Sequence, residues 1–208
     1  MRTEQVIQRL KQQLTRDLPG EKAHQRLSPP HRLVPTEERL QVLKPKIAAV
    51  MAILYPSNIG LETIFIKRAS YPGVHSDQIS FPGGKKDPND ETLVHTALRE
   101  TEEEIGLPAQ RIEVLGSLSR LYIPPSNFLV HPFVGFYPEK PKFVKQQREV
   151  KDIIVANTQI FRQPNNMQYK IIQVNGRQLE CPAYRIQDDL IWGATAMILA
   201  ELLEVITD

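Results

Sequence analysis

The sequence predicts an α/β layered domain. Residues 47–55 and 62–68 have the apolar and alternating patterns of two β-strands, and the turn between them carries Pro56, Asn58 and Gly60. Further along the chain, residues 90–105 have the apolar spacing of an amphipathic helix, and more strand-like segments follow. Strands and helices mixed around one central helix are typical of an α/β domain.

The first 45 residues differ in texture from the rest of the chain. Val6, Ile7, Leu10 and Leu14 recur at helical spacing, and a stretch broken by prolines follows them. We therefore expect a helix-and-loop extension over residues 1–45 and the main domain over residues 46–208.

The main domain contains one helix with clear sequence boundaries. Asp90 is the candidate N-cap, and Gly106 is the expected C-terminal stop. A second helix is predicted over residues 192–206. Strands are predicted at 112–121, 128–137, 167–174 and 179–184.

Composition bounds the class of protein. Hydrophobic residues make up 41% and charged residues 24% of the 208 positions, which favours a globular chain. The formal net charge is only +2, so nucleic acid and membrane surfaces are not expected partners. Cys181 is the single cysteine, and no segment has the roughly 18 apolar residues of a membrane span. These features predict a cytoplasmic protein.

Three carboxylates stand close together on the central helix. Glu100, Glu103 and Glu104 are spaced i, i+3 and i+4, which places them within one turn. Their mutual repulsion is relieved by a hard divalent cation such as Mg²⁺ or Mn²⁺. The alternative interpretation is a solvated acidic run on the helix surface.

A glycine-containing segment precedes this helix. Phe81-Pro82-Gly83-Gly84 can turn backbone N–H groups toward an anion, because glycine lacks the side chain that would block the approach. Anion donors beside a metal site are the pairing that phosphoryl transfer requires. The loop that contains Gly83 and Gly84 is therefore the first place to expect chemistry.

These residues together resemble the Nudix family. The family motif is matched by Gly84, Glu91 and the segment from Arg99 to Leu107, although six residues rather than five separate Gly84 from Glu91 and Thr101 replaces an aliphatic residue. The resemblance implies an α/β/α sandwich with a mixed β-sheet, here with an added N-terminal helix. It also implies that Glu100, Glu103 and Glu104 bind metal, that Arg99 holds a carboxylate in place, and that Glu91 is a structural partner.

A second resemblance concerns the substrate. Residues 64–84 are similar to the coenzyme A pyrophosphatase branch of that family, with Arg68, His75 and Gln78 in register and Asp77 where a glycine is usual. The resemblance implies substrate binding by Arg68, His75, Gln78, Gly83 and Gly84. A surface ion pair for Arg68 and a loop hydrogen bond for His75 are the competing interpretations.

The implied reaction is the metal-dependent hydrolysis of a pyrophosphate bond. Coenzyme A or acyl-CoA would give 3′,5′-ADP and (acyl-)4′-phosphopantetheine. The general base stays open between the helix carboxylates, Glu100 and Glu103, and the more distant Glu149. Cys181 has no neighbouring residue that would make it a nucleophile.

Other assignments remain open at this level. The Nudix motif alone also permits ADP-ribose or another nucleoside diphosphate derivative as substrate, and a non-catalytic nucleotide-sensing module is a third alternative. A homodimer is compatible with the resemblance, with the N-terminal helix or the Tyr137–Glu149 loop as its interface.

Overall fold

The computed structural model describes residues 3–30, 32–69, 77–174 and 177–207. The helices in these ranges are α1 (Thr3–Leu14), α2 (Glu21–His24), α3 (Glu37–Leu43), α4 (Leu93–Ile105) and α5 (Gly193–Thr207). The strands are β1 (Lys46–Ser57), β2 (Gly60–Arg68), β3 (Ile79–Ser80), β4 (Gly83–Lys85), β5 (Glu113–Ser117), β6 (Leu121–Ile123), β7 (Phe128–Phe136), β8 (Val150–Asn157), β9 (Met167–Val174), β10 (Arg177–Ile186) and β11 (Asp189–Trp192).

The larger sheet is mixed, as the family resemblance implies. Its main path runs β3-β2-β1-β7-β5, with β8 beside β2 and β4 beside β1. The β1–β7 pair is parallel, and the other pairs in this sheet are antiparallel. A second sheet has the order β11-β10-β9.

Helices cover both faces of the mixed sheet. Met51 and Ile53 of β1 are buried in one cluster with Ala97 of α4. Ala52 and Leu54 point to the opposite face and are buried in a second cluster that includes α5. This alternation places the sheet between two helical layers and confirms the expected α/β/α sandwich.

The N-terminal helix is present and packs on the same core. Leu10 and Leu14 of α1 are buried in the cluster that contains α5. A Cβ atom at Gly116 would lie 2.8 Å from the Leu14 Cβ atom, so the glycine permits the close approach of α1 to β5. The apolar face of α1 is therefore covered by its own chain.

The helix that carries the acidic residues differs from the prediction at one end. Thr92, not Asp90, is the N-cap of α4, and its hydroxyl accepts a hydrogen bond from the His95 N–H at 3.1 Å. The predicted stop at Gly106 is confirmed, with a left-handed φ of 71°. The N-cap prediction was wrong because Asp90 has a stronger partner in Arg99.

Two strand predictions also need correction. The continuous strand predicted over 112–121 is interrupted, and its two parts, β5 and β6, pair separately with β7. Strand β8, which the sequence analysis missed, pairs with β2 along most of its length. Asn175 and Gly176, where the sequence predicts a hairpin turn between the strands at 167–174 and 179–184, lie outside the described residues. In the ranges that the structure does describe, no helix is long and apolar enough to cross a membrane.

A buried carboxylate on α5 joins the extension to the main domain. Glu201 accepts hydrogen bonds from the Gly20 N–H at 3.1 Å, from the Ser119 hydroxyl at 2.6 Å and from its N–H at 3.2 Å, and its carboxylate lies 2.9 Å from His24 Nε2. Burial opposes ionisation, but the bonds to His24 and Ser119 outweigh it and lower the pKa of Glu201.

We expect Glu201→Gln to lower the free energy of unfolding at pH 7 by about 2–4 kcal/mol, since a buried, hydrogen-bonded charge loses its partners. Because the folded-state pKa is lowered, the stabilisation is present above the unfolded-state pKa and is lost as the pH falls through the folded-state value. Urea denaturation at pH 7 and at acidic pH measures both effects. Glu204→Gln is the control, since that partly exposed residue pairs with Arg26 at 3.5 Å; an equal loss in the two variants would contradict the account.

Candidate active site

The glycine bend, Phe81 to Gly84, is held against β1 by the β1–β4 pairing. Gly83 lies opposite Val50 in the β1–β4 pair and has a φ of 149°. A Cβ atom there would overlap the Ala49 carbonyl oxygen and lie 2.6 Å from Val50 Cα. The backbone itself therefore requires glycine at this position.

Glu104 is the most buried carboxylate of the site. Its residue is 1% exposed, it accepts a hydrogen bond from the Gly83 N–H at 2.8 Å, and it lies 3.7 Å from the Arg68 guanidinium. Burial, with smaller contributions from the charges of Glu100 and Glu149, raises the pKa of Glu104 to about 8 against the opposing effects of the Gly83 N–H and Arg68.

Glu100 lies directly against Gly84. A Cβ atom at Gly84 would be 2.5 Å from the Glu100 carboxyl carbon, so this glycine leaves room for a carboxylate. Burial raises the pKa of Glu100, with further contributions from the charges of Glu103 and Glu149, while Arg99 at 2.9 Å opposes the shift. The bend thus has two acidic side chains beside it.

Glu103 points elsewhere. Its side chain is 58% exposed and pairs with Arg99 at 3.0 Å, whereas Glu100 and Glu104 turn toward the glycine bend. The structure therefore brings two of the three predicted carboxylates together and places the Arg99 guanidinium between Glu100 and Glu103. On the helix surface, positions i+3 and i+4 lie to either side of position i. The side chains of Glu103 and Glu104 can therefore point in different directions although both lie one turn from Glu100.

Arg99 is anchored by a residue that the sequence analysis assigned to another role. Asp90 is 5% exposed and accepts two hydrogen bonds from Arg99, at 2.9 Å and 3.0 Å. These bonds hold the pKa of Asp90 well below its usual range despite burial. Glu91, the predicted structural partner, is exposed. The spacing was an available signal, because five residues separate Gly84 from Asp90.

We expect Asp90→Ala to lower the free energy of unfolding by about 2–4 kcal/mol, because it leaves the Arg99 guanidinium without its buried partner. Glu91→Ala should change it by no more than about 0.5 kcal/mol, as for other exposed positions. Thermal and urea denaturation of the two single variants provide the comparison. A larger loss for Glu91→Ala would show that the motif glutamate, and not Asp90, supports Arg99.

The loop before β8 brings Glu149 to the site. The N–H groups of Val144 and Gln146 donate to the carbonyl oxygens of Ile105 and Glu104, each at 3.0 Å, so the loop covers the C-terminal end of α4. The Glu149 carbonyl oxygen then accepts a hydrogen bond from the Ala69 N–H at 2.8 Å. The Glu149 carboxylate is close enough to raise the pKa values of Glu100 and Glu104.

Arg68 and Gln78, two of the predicted substrate-binding residues, meet at the end of β2. The Arg68 N–H donates to the Gln78 carbonyl oxygen at 3.0 Å, and the Arg68 guanidinium faces Glu104. Asp77 has a left-handed φ of 56° and pairs with Lys151 at 2.9 Å. Its carboxylate is therefore balanced by a lysine. His75 lies outside the described residues.

The acidic residues have the chemistry that a divalent cation requires. Within the described residues, no three acidic, histidine or cysteine side chains are arranged as a ready metal cage. Glu100, Glu104 and Glu149 nevertheless supply hard oxygen donors. Burial is the main cause of the raised pKa values of Glu100 and Glu104, and the charge of Glu149 adds to both shifts. A hard divalent cation fits this donor set.

Comparison with known proteins agrees with this fold. The NUDIX domain model matches residues 45–170, and the chain belongs to the Nudix hydrolase family. Hydrolysis of a pyrophosphate bond in a small nucleotide substrate, with divalent metal, is the activity of that class.

Among relatives, the chain is 32% identical to the Nudix hydrolase NudL of Photorhabdus laumondii over 176 residues, which cover 85% of this chain and 89% of that protein. It is also 32% identical to NudL of Yersinia pestis over 146 residues, which cover 69% and 72% of the two chains.

Solved structures show the same fold. The Nudix hydrolase RenU of M. smegmatis superposes with a TM-score of 0.55 at 18% identity, covering 77% of this chain and 85% of that one. A MutT/nudix family protein of Enterococcus faecalis gives 0.53 at 22% identity, covering 84% and 65%.

Proposed function

We propose that this Nudix hydrolase cleaves the pyrophosphate bond of coenzyme A or an acyl-CoA. The products would be 3′,5′-ADP and 4′-phosphopantetheine or its acyl form. The observation that carries the proposal is the position of Arg68. This guanidinium lies 3.7 Å from Glu104, whose carboxylate accepts the Gly83 N–H, so a cation, carboxylates and a glycine bend meet at one point.

Support for the coenzyme A assignment comes from the residues around that point. Arg68, Gln78 and the Phe81–Gly84 bend stand in the register of the coenzyme A pyrophosphatase branch, and the first two are joined through their backbones. Coenzyme A carries a pyrophosphate and a 3′-phosphate. A planar guanidinium matches a phosphate through two parallel N–H donors.

We assign metal binding to Glu100 and Glu104, with Glu149 contributing from the loop opposite. Glu103 is paired with Arg99, and it can bind the same metal only if this ion pair breaks. When bound, Mg²⁺ or Mn²⁺ neutralises pyrophosphate oxygens and lowers the pKa of a coordinated water. Glu104 is held for this role by the Gly83 N–H and Glu100 by its contact with Gly84.

The reaction needs a base for the attacking water. The water oxygen forms a bond to one phosphorus, the bridging P–O bond breaks, and one water proton passes to a carboxylate. Glu149 is our first candidate, because it is exposed and has no hydrogen-bonded cation comparable to the Arg99 partner of Glu100 among the described contacts. Glu100 and Glu103 are the alternatives on the helix.

A substrate panel tests the proposal. Coenzyme A, acetyl-CoA, ADP-ribose, NADH and nucleoside triphosphates are incubated with the protein and Mg²⁺ or Mn²⁺, and the products are identified by chromatography. We expect the highest kcat/KM for coenzyme A or acetyl-CoA, with 3′,5′-ADP released. Preferential cleavage of ADP-ribose would reject coenzyme A in favour of the alternative substrate class. If none of these compounds is hydrolysed, the catalytic role itself is rejected.

A variant tests the base. Glu149→Gln should lower kcat by about 10²- to 10³-fold under saturating metal, because the attacking water loses its base. Glu139→Gln is the control, because that exposed glutamate pairs with Arg111 outside the site. Turnover of Glu149→Gln at the wild-type level would move the base to α4.

A further inference from the structure

The outer edge of the second sheet has unusual chemistry. Strand β9 is the last strand in the order β11-β10-β9, and no described strand pairs with its other side. Three large apolar residues alternate along it and are well exposed: Met167 at 46%, Tyr169 at 61% and Ile171 at 61%. Alternate residues of a strand share one face, so these side chains form a continuous apolar stripe.

The backbone of the same three residues faces the open edge. The Arg185 N–H donates to the Asn166 carbonyl oxygen at 3.1 Å, so Arg185 directs its polar groups toward β9. Backbone groups alternate sides along an antiparallel strand, and Tyr184 and Pro182 therefore direct theirs away from β9. Met167 pairs with Tyr184 and Tyr169 with Pro182, so their own N–H and C=O groups point outward.

Pro182 gives independent support for this assignment. Proline has no N–H, so Pro182 cannot form a doubly hydrogen-bonded pair with Tyr169, which is its register partner. Ile171, two residues further along β9, has the same orientation as Tyr169. The open edge thus offers hydrogen-bonding groups and apolar side chains from the same three positions, which natural edge strands usually avoid when they stay unpaired.

We infer that β9 is a dimerisation strand, which pairs antiparallel with β9 of a second copy of this chain around a two-fold axis at Tyr169. In that register Tyr169 lies opposite Tyr169 of the second copy, and Met167 lies opposite Ile171. All three pairs exchange backbone hydrogen bonds, because their polar groups face outward. The two three-stranded sheets become one six-stranded sheet.

The charges of β9 favour a second copy as the occupant. Lys170 is the one charged residue in the described strand, and in this register it lies opposite Gln168 rather than another lysine. Its ammonium is positioned over the Trp192 ring at 5.5 Å. The strand is thus self-complementary in hydrogen bonding, apolar surface and charge, as an isologous interface requires.

The interface is tested first by mass. Sedimentation equilibrium of the full chain over a range up to about 100 µM should give a dimer that dissociates on dilution. Ile171→Lys and Tyr169→Pro should each raise the dimer Kd at least about tenfold, since the first sets a charge against Met167 and the second removes a central N–H. Ile59→Lys is the control, because Ile59 is 69% exposed in the β1–β2 turn. Circular dichroism establishes that each variant is folded.

Cysteine crosslinking then tests the register. Opposed residues of a hydrogen-bonded antiparallel pair have Cα atoms about 5.5 Å apart, which a disulfide can span. Tyr169→Cys should crosslink to itself on mild oxidation. Met167→Cys should not, because two such residues would stand about 14 Å apart, at four residues of 3.4 Å each. The wild-type chain gives the background, since Cys181 is buried.

Three results would overturn the inference. The first is a monomeric mass at every concentration. The second is a dimer whose Kd is unchanged by both Ile171→Lys and Tyr169→Pro. The third is equal crosslinking through positions 167 and 169.

Discussion

Replacing Glu104 by glutamine lowers kcat for pyrophosphate hydrolysis by about 10²- to 10³-fold, because it removes a charged donor from the metal site while keeping the side-chain shape. The structure assigns this residue the most constrained position in the site, since it is 1% exposed and accepts the Gly83 N–H. Steady-state kinetics with coenzyme A and Mg²⁺ measures the loss.

The control lies two residues away on the same helix, on a different face. Glu102 is exposed and accepts a hydrogen bond from the Ala109 N–H at 3.3 Å, outside the glycine bend. Glu102→Gln should retain turnover within about twofold of wild type. If both variants lose activity equally, the effect belongs to the helix and not to the Glu104 carboxylate.

The same substitution has an opposite consequence for the stability of the metal-free protein. The folded-state pKa of Glu104 is raised to about 8, so its contribution to stability is full below the unfolded-state pKa and is lost as the pH rises to about 8. In the presence of a chelator, wild-type stability should therefore fall relative to Glu104→Gln over that interval. Adding Mg²⁺ should reverse the fall, because the ion binds the ionised carboxylate.

Alanine at Gly83 should reduce stability, whereas alanine at the adjacent Gly84 should reduce activity. Gly83→Ala should lower the free energy of unfolding by about 3 kcal/mol or more, because the new Cβ atom meets the backbone of β1 at a φ of 149°. Gly84→Ala instead meets the flexible end of the Glu100 side chain. It should keep the fold and lower kcat by about 10- to 100-fold.

Thermal denaturation and kinetics on both alanine variants separate these outcomes. The account requires a large loss of stability for Gly83→Ala and a near-native melting temperature for Gly84→Ala. Near-native stability and activity in Gly83→Ala would show that the bend tolerates a side chain, and the assigned approach to β1 would be wrong.

Much of the fold could be predicted from local pattern. The C-terminal end of α4 at Gly106 could be predicted because helix capping depends on a few neighbouring residues. Strand β8 was missed because Lys151 and Asp152 interrupt its apolar pattern, and the pairing with β2 that stabilises it comes from residues far away in sequence. Non-local pairing of this kind leaves little trace in a single strand.

The sequence indicated which residue types form the candidate site, but not the directions in which their side chains point. Spacing placed Glu100, Glu103 and Glu104 within one turn, yet it could not show that Arg99 separates Glu103 from the other two. That separation depends on Asp90, which was read as a helix cap because caps and ion pairs use the same side chain.

The direct test of the central claim is the binding of Mn²⁺, followed by electron paramagnetic resonance, in the wild-type chain and in Glu104→Gln and Glu149→Gln. We predict that each substitution weakens Mn²⁺ binding at least about tenfold, because both carboxylates belong to the donor set beside the glycine bend. Unchanged Mn²⁺ affinity in both variants, with pyrophosphate hydrolysis intact, would contradict the proposed site.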